Sequence, residues 1–248
     1  MAAQSNFWAL VKHDFKRRKR RNMQIPKGWW LAYAGGALAV LLTLTTYAAL
    51  HGHTYLGPVW FTTFGLPFLS FGMATSLTAS EWKNGTAGWW LTLPFSRLRL
   101  VTSKFVAALL RSVLIFAVVY CILALFGLYT MALVGPFDPH SAASYLLTGL
   151  KWNALLFSVC PFVTAFGILF CVLGESRAKP AIPLMWILFS GLWWLLFAHG
   201  GVYLHVQTAG MPNLSVSPFL FIPIVVSWLL AYGLIRLAAY LLNRHLAM

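Results

Sequence analysis

Long apolar stretches alternate with short polar ones along this chain. Six of them approach or exceed the roughly 20 residues that carry a helix across the hydrocarbon of a bilayer. They are Trp29–Leu50, Pro58–Thr78, Phe105–Met131, Leu146–Leu173, Pro183–Leu204 and Pro218–Tyr240. A backbone in lipid has no water to pair its N–H and C=O groups, so each stretch predicts a helix. Pro161 and Pro223 fall inside two of them and predict kinks. Ahead of the first span, Phe7, Trp8, Leu10, Val11 and Phe15 recur at helical spacing among Lys12, His13, Asp14 and Lys16. That pattern predicts an amphipathic helix lying in the membrane interface; the alternative is a disordered basic tail.

The charges orient these spans. Of the eighteen Lys and Arg residues, all but Lys151 fall at the N-terminus, at the C-terminal end, or beside the connections between spans two and three and between four and five. Lys and Arg accumulate on the cytoplasmic side, so both termini are expected there. Phe7, Trp8, Arg17, Arg18, Lys19, Arg20, Arg21 and Lys104 are the expected anchors at the inner headgroups. The expected fold class is therefore an all-α polytopic membrane protein with six transmembrane helices and an N-terminal amphipathic interfacial helix. Residues 1–28 form the cytoplasmic amphipathic and basic segment. Residues 29–242 form the transmembrane domain, with a cytoplasmic segment over 79–104 that contains a short helix, and 243–248 form a tail.

Composition agrees with this pattern. Only 9% of residues are charged and 60% are hydrophobic, against about 25% charged in a soluble domain. The net charge of +14 would suggest nucleic acid in a soluble protein. Here the run from Lys16 to Arg21 stands just before a span, where anionic lipid is the expected partner. Cys121, Cys160 and Cys171 lie within apolar runs without metal or disulfide spacing and read as small buried hydrophobes.

Candidate chemistry is sparse. The acidic residues are Asp14, Glu81, Asp138 and Glu175, and none is expected deep in a span, where an ion-coupled carrier would need one. His199 stands near the outer end of the fifth span. The sequence has no GxxxxGK[ST] phosphate loop, no HExxH and no GxSxG, and Gly85-Thr86-Ala87-Gly88 lacks the lysine of a phosphate loop. Asn153, Ser158, Thr164, Glu175 and His199 offer no compact polar set for a membrane-embedded enzyme. That class, an assembly factor and an ion-coupled carrier, all without an ATPase partner, are the alternative readings.

The segment Glu81-Trp82-Lys83-Asn84-Gly85-Thr86-Ala87-Gly88-Trp89-Trp90-Leu91-Thr92-Leu93-Pro94-Phe95-Ser96-Arg97 is too polar to span and too apolar to float free. Trp82, Trp89, Trp90, Leu91 and Leu93 offer an apolar ridge for docking or, alternatively, the aromatic anchors of an interfacial helix without a partner; Gly85 and Gly88 permit a turn or close approach, Pro94 ends a short helix, and Ser96 caps the next. A Glu, then Gly-Thr, apolar residues, Pro-x-Ser-Arg and a Lys re-entering the membrane resembles the loop after the second helix of ABC-2 type transporter permeases. Trp89-Trp90 stands where members of that family more often carry aliphatic residues.

The resemblance implies a non-catalytic permease subunit of an ABC exporter in a prokaryotic plasma membrane. Its partners would be separate ATPase subunits that hold ATP and Mg, and a second copy or a paralogous permease. It assigns ATPase coupling to Glu81, Trp82, Gly85, Thr86, Trp89, Trp90, Leu91, Leu93, Pro94 and Arg97. Substrates in such a family are amphiphiles such as peptides, antibiotics, lipids and lipid-linked glycans, and self-protection against a membrane-active peptide is one role of this kind.

Overall fold

The computed structural model describes residues 2–16, 27–50, 56–134, 136, 138–198, 204–207, 213–216 and 221–244. The helices are α1 (Ala2–Lys16), α2 (Lys27–Leu50), α3 (Leu66–Lys83), α4 (Ala87–Thr92), α5 (Arg97–Val134), α6 (Pro139–Gly174), α7 (Ile182–Ala198) and α8 (Phe221–Arg244). Short 3-10 turns cover Gly57–Gly65 and Lys179–Ala181. The chain is thus overwhelmingly helical. Among the described residues, three helices are long and apolar enough to cross a membrane: Arg97–Val134, Pro139–Gly174 and Ile224–Arg244 within α8.

Local chemistry redraws several expected spans. The second divides into a 3-10 segment and α3, because Pro67 lacks an N–H and suits the first turn of a new helix better than the middle of an old one. Pro223 lies in the first turn of α8, where a missing N–H removes no helical bond, so it is a helix start and not a kink. The helix continues through Pro161. The fifth expected span contains α7, described from Ile182 to Ala198, and its expected last residue, Leu204, stands in a strand. That strand, Leu204–Gln207, pairs antiparallel with Asn213–Val216, a small departure from an all-helical chain. Both segments alternate apolar and polar residues, and the register sets Leu204 opposite Val216 and Val206 opposite Leu214.

α6 is the central helix and packs on α3, α5 and α8. Every residue from Val159 to Leu169 is buried, as befits a helix that is apolar all round. Ser112 donates to Ser70 at 2.8 Å and Ser70 to the Cys160 sulfur at 3.6 Å, which links α5, α3 and α6 inside the core. Cys121, in contrast, is exposed on α5. At the end of the bundle away from α4, Trp60 stacks on Tyr120 at 5.3 Å and tilts against Tyr145 at 4.9 Å. A Cβ on Gly149 would enter the Trp60 ring, so this packing requires glycine there.

At the same end, Asp138 caps α6 by accepting from the Ser141 and His140 N–H groups at 3.0 and 3.1 Å and from the Ser141 hydroxyl. These bonds favour the ionised form, the Ser141 hydroxyl most of all, and hold the carboxyl below its ordinary range.

Candidate functional site

The opposite end of the bundle carries α1, α4 and the first turns of α5. α3 ends at Lys83, and Gly85 turns the chain with φ of +67°, a left-handed conformation that glycine adopts freely. Gly88, whose added Cβ would meet nothing within 4 Å, is an ordinary helical position. Thr86 closes the turn: its N–H donates to the Glu81 carbonyl at 2.9 Å and its hydroxyl to the Glu81 carboxylate at 2.6 Å. The six residues of α4 follow. Leu93 is extended, as a residue before proline tends to be. Ser96 caps α5 by accepting from the Arg99 N–H at 3.3 Å, and the Arg97 guanidinium donates to the Leu91 carbonyl. The loop is therefore braced at both ends of its short helix.

Beneath the loop lies a buried ion cluster. Lys104 is 1% exposed, Glu81 5% and Asp14 6%. The Lys104 ammonium donates to Glu81 at 2.8 Å and to the Leu77 carbonyl at 3.4 Å, and stands 3.6 Å from the Asp14 carboxylate. The Trp90 ring covers it, 5.0 Å from centroid to nitrogen. One turn of helix C-terminus is held as well, since Arg111 donates to the Asp14 and Phe15 carbonyls at 2.6 and 2.9 Å, where a cation meets the negative end of α1. A buried charge is tolerated only when paired and hydrogen-bonded, and Lys104 meets both conditions.

These positions correct two expectations. Lys104 is not a headgroup anchor: its ammonium is drawn inward by two carboxylates and a ring. Glu81 pairs with Lys104, 23 residues along the chain, and its carboxylate is not presented at the surface. The expected apolar ridge is also divided. Trp90 and Leu91 are buried, Trp82 and Leu93 are partly buried, and Trp89 is exposed together with Gly85 and Pro94. Trp82 meets Trp90 edge-on at 6.1 Å. Thr86 and Arg97 are half-buried and serve the brace.

On α1, Phe7, Leu10, Val11 and Phe15 face the protein core, while Trp8 is exposed. Phe7 is accordingly a packing residue. Arg17, Arg18, Lys19, Arg20 and Arg21 lie outside the described residues, as does His199.

Sequence reading overlooked Asp14 and Arg111. The signal for Asp14 was present: with Phe7, Leu10 and Val11 it shares the i, i+3, i+4, i+7 stripe of α1, and an acid on an apolar stripe needs a buried cation. Between α1 and α4 opens a cleft of about 540 Å³ whose walls include Leu10, His13, Asp14, Trp89, Trp90 and Phe95. Among the described residues, no three His, Cys, Asp or Glu side chains converge as metal ligands.

No curated protein and no solved structure matches the chain. The family described as ABC-2 family transporter protein matches residues 10–189, a stretch that holds the second half of α1, the ion cluster, α4, α5 and α6. The chain belongs to the ABC-2 family of transporter membrane proteins.

Proposed function

We propose that this chain is the permease subunit of an ATP-driven ABC exporter. It crosses the membrane six times, through α2, the Gly57–Lys83 segment, α5, α6, α7 and α8, with both termini and α4 in the cytoplasm. The distribution of Lys and Arg supports this orientation. Two such subunits, identical or paralogous, enclose the path of an amphiphilic substrate, of which an antimicrobial peptide is one candidate. ATP and Mg²⁺ bind a separate ATPase on each.

One observation carries the coupling role. α4 is fixed from below by Trp90 and Lys104 and presents Trp89 outward. An exposed aromatic on a braced element has the properties of an interface anchor, large in contact area and low in ordering cost. Glu81, Thr86, Arg97, Leu91 and Pro94 contribute by setting the shape of the loop, and Trp82, Gly85 and Leu93 by flanking the anchor. The test is purification in mild detergent from the native host. An ABC-class ATPase should accompany the wild-type chain and be lost from Trp89→Ala. Equal recovery of the ATPase with both chains would refute the assignment.

A further inference from the structure

The ion cluster contains a member that a coupling helix alone does not need. Glu81 would suffice to neutralise Lys104, yet the ammonium also faces Asp14 of α1 at 3.6 Å. Lys104 belongs to α5, pairs with Glu81 at the end of α3, lies under Trp90 of α4 and attracts Asp14 of α1. Four elements therefore converge on a single nitrogen. Arg111, two turns further along α5, grips the last carbonyls of α1. Val11 is buried in the same apolar cluster as Trp90 and Leu100. A helix that merely floated in the interface would keep its carboxylate in water, where solvation is best. Here the carboxylate is buried, and withdrawing it would expose a cleft and leave a buried cation with a poorer set of partners.

We propose that Lys104 is a positioning residue that locks α1 and α4 to α5, so that the N-terminal helix moves as part of the coupling apparatus. The inference rests on the reading of α4 as the ATPase contact only for that consequence; the lock itself stands on the geometry. Apolar packing holds α1 down but tolerates sliding and rotation, whereas the Asp14–Lys104–Glu81 alignment fixes one register.

The test uses the full chain in lipid nanodiscs, with Cys121, Cys160 and Cys171 replaced by Ala. Spin labels are attached at Lys12→Cys on α1 and Thr92→Cys on α4, both exposed positions. The parent should give one narrow distance peak by pulsed electron resonance. Asp14→Asn, which leaves the Lys104–Glu81 pair intact, should broaden it. The combined Asp14→Asn, Glu81→Gln, Lys104→Met variant removes every charge of the cluster while keeping side-chain volume, and should broaden it further at unchanged helix content. A peak that stays narrow in both variants would overturn the proposal, since apolar packing alone would then suffice. Trp89→Ala separates the two readings: it should leave the peak narrow whether or not the ATPase is released.

Discussion

Trp89 and Trp90 are neighbours in sequence and opposites in environment: Trp90 is 6% exposed and covers the Lys104 ammonium, whereas Trp89 is 72% exposed. Adjacent positions on a helix diverge by about 100°, so a short amphipathic helix necessarily divides such a pair. One indole serves the inside of the molecule and the other its surface.

The two should therefore fail differently on truncation. Trp90→Ala removes a buried ring and should cost about 3–5 kcal/mol of stability. Trp89→Ala should change stability by no more than about 0.5 kcal/mol but weaken ATPase binding by about 2 kcal/mol or more. Thermal unfolding in detergent reads the first effect and co-purification the second. The reverse pattern would exchange the roles given to the two rings.

Gly149→Ala should destabilise the fold by about 1–3 kcal/mol, because its methyl group would enter the Trp60 ring. Trp60→Leu in the same chain should relieve part of that cost. Melting temperatures of the two single variants and the double variant measure the coupling, and simple additivity would show that the rings simply move aside.

The Asp138 cap predicts a pH effect of definite sign. Its carboxyl is held below the ordinary range by the Ser141 hydroxyl and by the Ser141 and His140 N–H groups. The stabilisation is present above the unfolded-state value and lost as pH falls through the lowered folded value. Wild-type protein should lose more stability on acidification than Asp138→Asn does, as measured by melting temperature across the acid range. Parallel curves would remove Asp138 from the account.

Topology can be read with a membrane-impermeant thiol reagent on intact cells. In a cysteine-free background, Ala143→Cys on the first turns of α6 should be labelled from outside, and Asn84→Cys after α3 only once the membrane is opened. Strong labelling of Asn84→Cys in intact cells would invert the proposed orientation.

The helices were legible because lipid leaves a long apolar run few alternatives. The breaks were less so. Pro58, Pro67, Pro161 and Pro223 look alike in sequence, yet Pro58 and Pro67 stand at element starts, Pro161 is carried within a buried helix and Pro223 lies in a first turn. The loop that carries α4 was well outlined by Gly85, Pro94 and Ser96, whose backbone preferences act locally. The ion cluster was hidden because its members come from α1, α3 and α5, and a lysine at the mouth of a span has the same pattern whether it reaches outward to a phosphate or inward to a carboxylate. Only tertiary packing chooses between them. The ribbon after α7 was missed because two four-residue alternations are a weak signal beside a strong run of hydropathy.

α5 runs without interruption from Arg97 to Val134, and this continuity sets a mechanical ratio. Thirty residues separate Lys104 from the far end of the helix, about 45 Å at 1.5 Å per residue. Pivoting such a rod by about 5° at the lysine carries Val134 sideways by about 4 Å, most of one helical pitch. A small displacement at the α4 end of such a rod would become, at its far end, as wide as a side chain. A rigid α5 turning about Lys104 would act as a lever with its fulcrum at the buried charge.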